Sequence, residues 1–129
     1  MKRICLTVAL VALTAAPVFA KNTRMEKSLA RLDPMTRFEQ VCDLEAMARI
    51  RRDPGAYRPD RAMTNAMSDP SVTGNTLQGS GGAFRSRGKW YQFSFTCNAT
   101  DDHLKVRSFD YKIGDLIPEE KWESYGLWR

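Results

Sequence analysis

The chain reads as an α+β domain: one main helix lies across a three- to four-stranded antiparallel sheet, a short C-terminal helix follows, and one disulfide joins the two layers. Three observations lead there. Residues 33–52 repeat apolar side chains at helical spacing. Residues 83–97 place them at every second position, the period of a strand. Each stretch carries one cysteine, Cys42 in the first and Cys97 in the second.

The sequence has 129 residues, a length that suits one domain. Residues 1–20 read as a signal peptide. Lys2 and Arg3 form a charged start, Ile4 to Ala16 is apolar, and Val18 and Ala20 are small residues placed for a cut after Ala20. The apolar run falls short of the roughly 20 residues a membrane span needs. Cleavage is therefore expected rather than retention as an anchor, and no later segment is apolar enough to cross a bilayer. The mature chain is expected in the periplasm or secreted. Losing Lys2 and Arg3 leaves 18 basic residues against 15 acidic ones. So mild an excess argues against nucleic acid. It suits an anionic envelope glycan, an envelope protein, or no charged partner at all.

Residues 21–32 are polar and form a lead-in, with at most an extra helical turn before the domain at 33–129. Asp33-Pro34 opens the main helix: Asp33 caps it and Pro34 takes the first position, where a missing N–H costs nothing. Phe38, Val41, Cys42, Glu45, Ala46 and Ala48 share its inner face, and Arg37, Gln40, Asp43 and Arg51 lie elsewhere. Pro54 ends the helix near Arg52. Residues 53–60 are turn-rich, and residues 61–67 fit a strand or a helix. Residues 68–82 are dominated by helix and strand breakers and read as loop. The Gly79-Ser80-Gly81-Gly82 run there lacks the lysine and spacing of a phosphate-binding loop.

The stretch from Ala83 to Cys97 reads as a hairpin turning at Arg87-Gly88. That turn sets Ser86 against Lys89, Arg85 against Trp90 and Phe84 against Tyr91. Phe84, Tyr91, Phe93, Phe95 and Cys97 then face the helix, while Arg85, Trp90, Gln92, Ser94 and Thr96 face outward. Residues 98–103 turn, and 104–113 form the next strand, ended by Gly114-Asp115. Leu104 and Val106 have one parity and Phe109, Tyr111 and Ile113 the other, so a bulge near Arg107-Ser108 is expected. Pro118 opens the short C-terminal helix, Gly126 closes it, and Leu127 and Trp128 fold back onto the body.

Cys5 departs with the signal, leaving Cys42 and Cys97. In an oxidising compartment these two have a single intramolecular pairing, across a long loop. The bridge removes both thiols as nucleophiles.

The blocks "LDPMTRFEQVCDLEAMARI", "AFRSRGKWYQFSFTC" and "FDYKIGDLIPEEKWESYGLW" resemble an exported bacterial family known as domain of unknown function 930. The likeness runs from about Leu32 to Trp128. It implies a periplasmic or envelope protein that keeps the Cys42–Cys97 pair, and it implies no activity, catalytic residue or cofactor.

The residues themselves point to few chemistries. The single histidine, His103, stands in the Asp101-Asp102-His103 turn, too few nitrogen or sulfur ligands for a transition-metal site. No serine has a nucleophile-elbow setting. Glu45 on the helix, with Arg49 four residues on as its expected ion-pair partner, is the candidate general acid or base. The constellation with most to offer is an outer cationic face built from Arg85, Arg87, Lys89, Trp90, Lys105 and Arg107, where Arg85 and Trp90 stack. A non-enzymatic binding or accessory module using that face is the leading expectation. The alternatives are an inhibitor of an envelope-directed hydrolase, presenting residues 71–82 as a rigid loop, and a small hydrolase using Glu45 or Asp101. No cofactor or metal is expected.

Overall fold

The computed structural model describes residues 20–129, with side chains from residue 24 onward. The expected signal peptide and its cut therefore lie almost wholly outside the described residues. Among the described residues no helix is long and apolar enough to cross a membrane.

The stretch expected as a lead-in is a helix, α1 (Ala20–Ala30). Its last turn leaves carbonyls without helical partners. Arg37, eight residues on and expected to face solvent, supplies them. Its guanidinium donates to Leu29 O at 3.1 Å and Leu32 O at 2.9 Å, and reaches Asp102 O at 3.0 Å. One side chain thus ties α1 to the next helix and to a distant turn.

That next helix, α2 (Pro34–Arg52), has the expected bounds. The Asp33 carboxylate accepts the Thr36 N–H at 3.0 Å, and hydrogen bonding to the side chain and then the backbone of Thr36 holds its pKa below the ordinary value. Replacing Asp33 with alanine should lower stability, and asparagine should retain most of the cap. Urea denaturation of the two variants checks this, and equal losses in both would show that the cap is idle. The buried face of α2 carries Phe38, Val41, Cys42, Asp43, Ala46 and Ile50. Two expectations change here: Asp43 points in, whereas Glu45 is half-buried and Ala48 exposed.

The sheet has five strands rather than three or four. The path is β1 (Pro59–Met63), β3 (Thr76–Ser86), β4 (Lys89–Ala99) and β5 (Val106–Leu116), all antiparallel, with β2 (Ser71–Thr73) also pairing β3. The ambiguous stretch at 61–67 is strand up to Met63 and turn beyond it. Ser86 faces Lys89, Arg85 faces Trp90 and Phe84 faces Tyr91, as the alternation predicts. Arg87 (φ 50°) and Gly88 (φ 76°) both adopt the left-handed region that a tight two-residue hairpin turn requires. The expected bulge also forms: Asn98 pairs with Ser108 and Ala99 with Val106, leaving Arg107 extra.

Residues 71–82 are not a loop. They form the β2–β3 hairpin, and the glycine run enters β3 across a bulge between Gly79 and Gly82. Crowding explains the glycine: a Cβ on Gly82 would lie 2.8 Å from the Phe93 ring. β5 likewise runs past Gly114-Asp115 to Leu116. The C-terminal helix is two 3-10 turns, Glu119–Lys121 and Glu123–Tyr125, closed by Gly126 at φ 67°.

Two cores result. Between helices and sheet, Phe38, Val41, Cys42, Ala46 and Ile50 of α2 meet Leu77, Phe84, Phe93, Phe95, Cys97 and Phe109. Cys42 and Cys97 are bonded there, with Cα atoms 6.1 Å apart. On the opposite side of the sheet, Trp90 and Ala83 are covered by Ile117, Trp122 and Leu127.

Candidate functional site

The outer cationic face does not assemble. Trp90, expected to be exposed, is fully buried under the C-terminal segment, and its indole N–H donates to Trp128 O at 2.7 Å. Arg85 lies over the rings of both Trp90 and Trp128, at 5.9 and 5.7 Å. Its charge is already met by Asp60, the extra residue of the β1 bulge, through two bonds of 2.9 Å. That fork holds the Asp60 carboxyl below its ordinary pKa. Arg87 and Lys89 are exposed at the hairpin tip. Lys105 and Arg107 sit beside Ala99, at the other end of β4. At about 3.3 Å per residue that is roughly 30 Å away. A hairpin turns back on itself, so the strand after it begins where the hairpin ends, which separates cations that look adjacent in type and face.

The candidate acids also part company. Glu45 does not pair with Arg49, which instead lies 3.8 Å from Asp53 and donates to Phe109 O at 2.9 Å. Asp101 accepts from Asn75 at 2.6 Å. His103 is half-buried in its turn. Its ring stacks on Phe38 at 4.1 Å, and its nitrogens lie 3.2 Å from Pro34 O and 3.1 Å from Asn75 Oδ1. These contacts pin the turn at 100–105 to the start of α2. The carboxylate that burial raises furthest is Asp43. It accepts the Thr64 N–H at 2.7 Å. Burial pushes its pKa up to about 7, against the pull of that bond, and nearby Glu39 adds to the rise. No nucleophile or second acid accompanies it within the buried face of α2.

Among the recesses of the described residues, two bear on the candidate residues. One, of about 600 Å³, lies on the outer sheet face beyond the C-terminal cover. Gln78, Ser80, Ser94, Thr96, Asp110 and Lys112 give it a largely polar lining. The other, of about 460 Å³, runs between α1, α2 and the entry to β5. Met25, Leu29, Val41, Leu44, Leu104 and Val106 give it an apolar floor and walls. Glu26, Glu45 and Lys105 stand on its rim, with Lys105 reaching Glu26 at 3.5 Å. Met25 is 49% exposed there. Two residues singled out in the sequence for other reasons, Glu45 and Lys105, therefore meet at this groove. The sequence could not show it, because one wall is the unforeseen α1.

The family model for Domain of Unknown Function (DUF930) matches residues 29–127. The chain belongs to that family. No curated protein and no solved structure matches it. The DUF930 span takes in both cores, the disulfide and most of the groove, from Leu29 through Val106, while Met25 and Glu26 precede it.

Proposed function

We propose that this DUF930 domain is a non-enzymatic binding module of the bacterial envelope, exported by its N-terminal segment, and that it binds another envelope protein in the α1–α2–β5 groove. The observation that carries the reading is the groove itself: a recess of ligand-site size in which Met25 is exposed and Leu44, Leu104 and Val106 are half-buried, above the buried Leu29 and Val41. Among the described residues Glu45 has no ion-pair partner, whereas Lys105 is engaged by Glu26. The matching ligand is an amphipathic segment that lays its apolar side chains on Met25, Leu44 and Leu104 and sets a lysine or arginine against Glu45. Export is supported by the charged and apolar start of the sequence, and by a disulfide of the kind that persists in oxidising compartments. The hydrolase reading loses support at Asp101, which is already hydrogen-bonded to Asn75. The inhibitor reading loses its protruding loop, since residues 71–82 lie within the sheet.

A photo-crosslinking side chain placed at Ala48, an exposed position lining the groove, should capture a defined envelope protein in cells. The same group at Ser94, on the outer sheet face, should not. Glu45→Lys should abolish the adduct without moving the melting temperature. Equal labelling from both positions, or an adduct indifferent to Glu45→Lys, overturns the proposal.

A further inference from the structure

Cations gather at the end of the sheet where β3 turns into β4. Pro59 stands opposite Ser86 and Ser86 opposite Lys89, so the start of β1, the turn at Arg87 and the start of β4 share one end. The Arg58 N–H donates to Ser86 Oγ at 2.8 Å, and the Arg51 guanidinium, from the last turn of α2, donates to Pro59 O at 2.6 Å. Arg61 lies further along β1, opposite Arg85. Arg51, Arg58, Arg61, Arg87 and Lys89 are all exposed. None of the five makes an ion pair with a described acid. Their neighbours in sequence, Asp53 and Asp60, are engaged by other groups: Asp60 by the Arg85 fork, and Asp53 by Arg49 and by the Tyr111 hydroxyl, which donates to it at 2.9 Å. Every acidic side chain of the sequence lies between Glu26 and Glu123, so the residues outside the description hold none that could neutralise this end. Residues 21–129 carry 18 basic and 15 acidic side chains, and taking away these five cations leaves 13 against 15. The rest of the chain is therefore net acidic, and the positive charge is concentrated at one end. Two exposed apolar side chains border it. Trp128 is 44% exposed, with its ring 5.7 Å from the Arg85 guanidinium. Leu116 is 51% exposed and pairs with Tyr91, two residues from Lys89.

We propose that this end docks on the surface of a bilayer that contains anionic phospholipid, with the β3–β4 turn foremost. Charge complementarity names the occupant. Each guanidinium or ammonium brought to an anionic bilayer adds to the attraction. Arg58 and Arg61 each donate to one neighbouring carbonyl, Tyr57 O and Asp60 O, which leaves most of their N–H groups for phosphate oxygens. The apolar pair decides between a bilayer and a soluble polyanion. A tryptophan ring settles at the level of the lipid headgroups, where one edge is wet and the rest is apolar. Trp128 and Leu116 gain that environment on a bilayer, whereas a polyanion in solution offers charge alone. The concentration of positive charge turns the protein so that this end arrives first. The groove lies by Leu104 and Val106, where β5 begins, and Leu116 lies where β5 finishes. Docking by the turn therefore holds the groove away from the bilayer, open to a partner. The docking surface shares no residue with the groove, so neither reading depends on the other.

Co-sedimentation of the purified exported protein with lipid vesicles tests it. Binding should be strong on vesicles of equal parts phosphatidylglycerol and phosphatidylcholine, weak on phosphatidylcholine alone, and should fall as salt rises. Tryptophan emission should shift to the blue on the anionic vesicles. Trp90 and Trp122 are already buried, so Trp128→Ala should remove the shift. Arg87→Asn combined with Lys89→Gln should weaken binding about tenfold or more. Asparagine suits the φ of 50° at position 87, and Asn-Gly is a favoured hairpin turn, so melting temperatures should match that of the unaltered protein. Heparin serves as the soluble polyanion. Equal binding to both kinds of vesicle, binding unmoved by the double variant, a blue shift that is absent or survives Trp128→Ala, or capture by heparin without capture by the anionic vesicles overturns the proposal.

Discussion

Replacing Cys42 and Cys97 together by alanine is expected to lower unfolding free energy by about 4 kcal/mol. The bridge spans 55 residues and joins the middle of α2 to the far end of β4. Between those ends lie β1, β2, β3 and nearly all of β4, so the unfolded chain loses a large closed loop when the bond is absent. Native domains retain only about 5–15 kcal/mol in all, so a loss of this size is a large share of the total. Both cysteines are fully buried, so alanine is a better replacement than serine, which would bury a hydroxyl without a partner. The measurement is urea denaturation of the variant and of the native protein with and without reductant. Reduced native protein should follow the variant, both well below the oxidised form. A variant within about 1 kcal/mol of the oxidised protein would show that loop closure contributes little here.

What could be foreseen followed from period and parity. The cap at Asp33, the run of α2, the β3–β4 register and the Arg107 bulge depend on local patterns that tertiary contacts do not override. The unforeseen features depend on remote partners. α1 has few apolar residues, and its end is completed by Arg37 of the following helix. The start of β3 looks like a flexible run, yet its glycine is the consequence of the Phe93 ring lying against it. Trp90 has the parity of a solvent-facing strand residue. It is buried because Ile117, Trp122 and Leu127 return to cover that end of the outer face. Asp43 is different, because its burial was legible. Ala46 and Ile50 follow it at three and seven residues, the spacing of one helical face. Its acidic nature alone suggested a solvent position. The groove, the candidate site, required α1 to exist and could not be drawn before it did.

Asp43→Asn should remove a pH dependence that the native protein carries between about pH 4 and pH 7. The Asp43 carboxyl titrates near its ordinary 3.8 when unfolded and at about 7 when folded, chiefly because burial disfavours the charged form. Between those values the folded state holds a proton that the unfolded state has released. The stability due to this group is therefore fully present below about pH 4, is lost as pH rises towards 7, and changes no further above it. At 1.36 kcal/mol per pKa unit the whole loss is roughly 4 kcal/mol. Asparagine keeps an oxygen for the Thr64 N–H, the bond that joins α2 to the end of β1, and carries no charge at any pH. The variant should match the native protein near about pH 4 and exceed it increasingly towards about pH 8. Denaturation midpoints across that range give the two curves. If they run parallel, Asp43 is ionised in the folded protein throughout, and the α2–β1 junction tolerates a buried carboxylate without penalty.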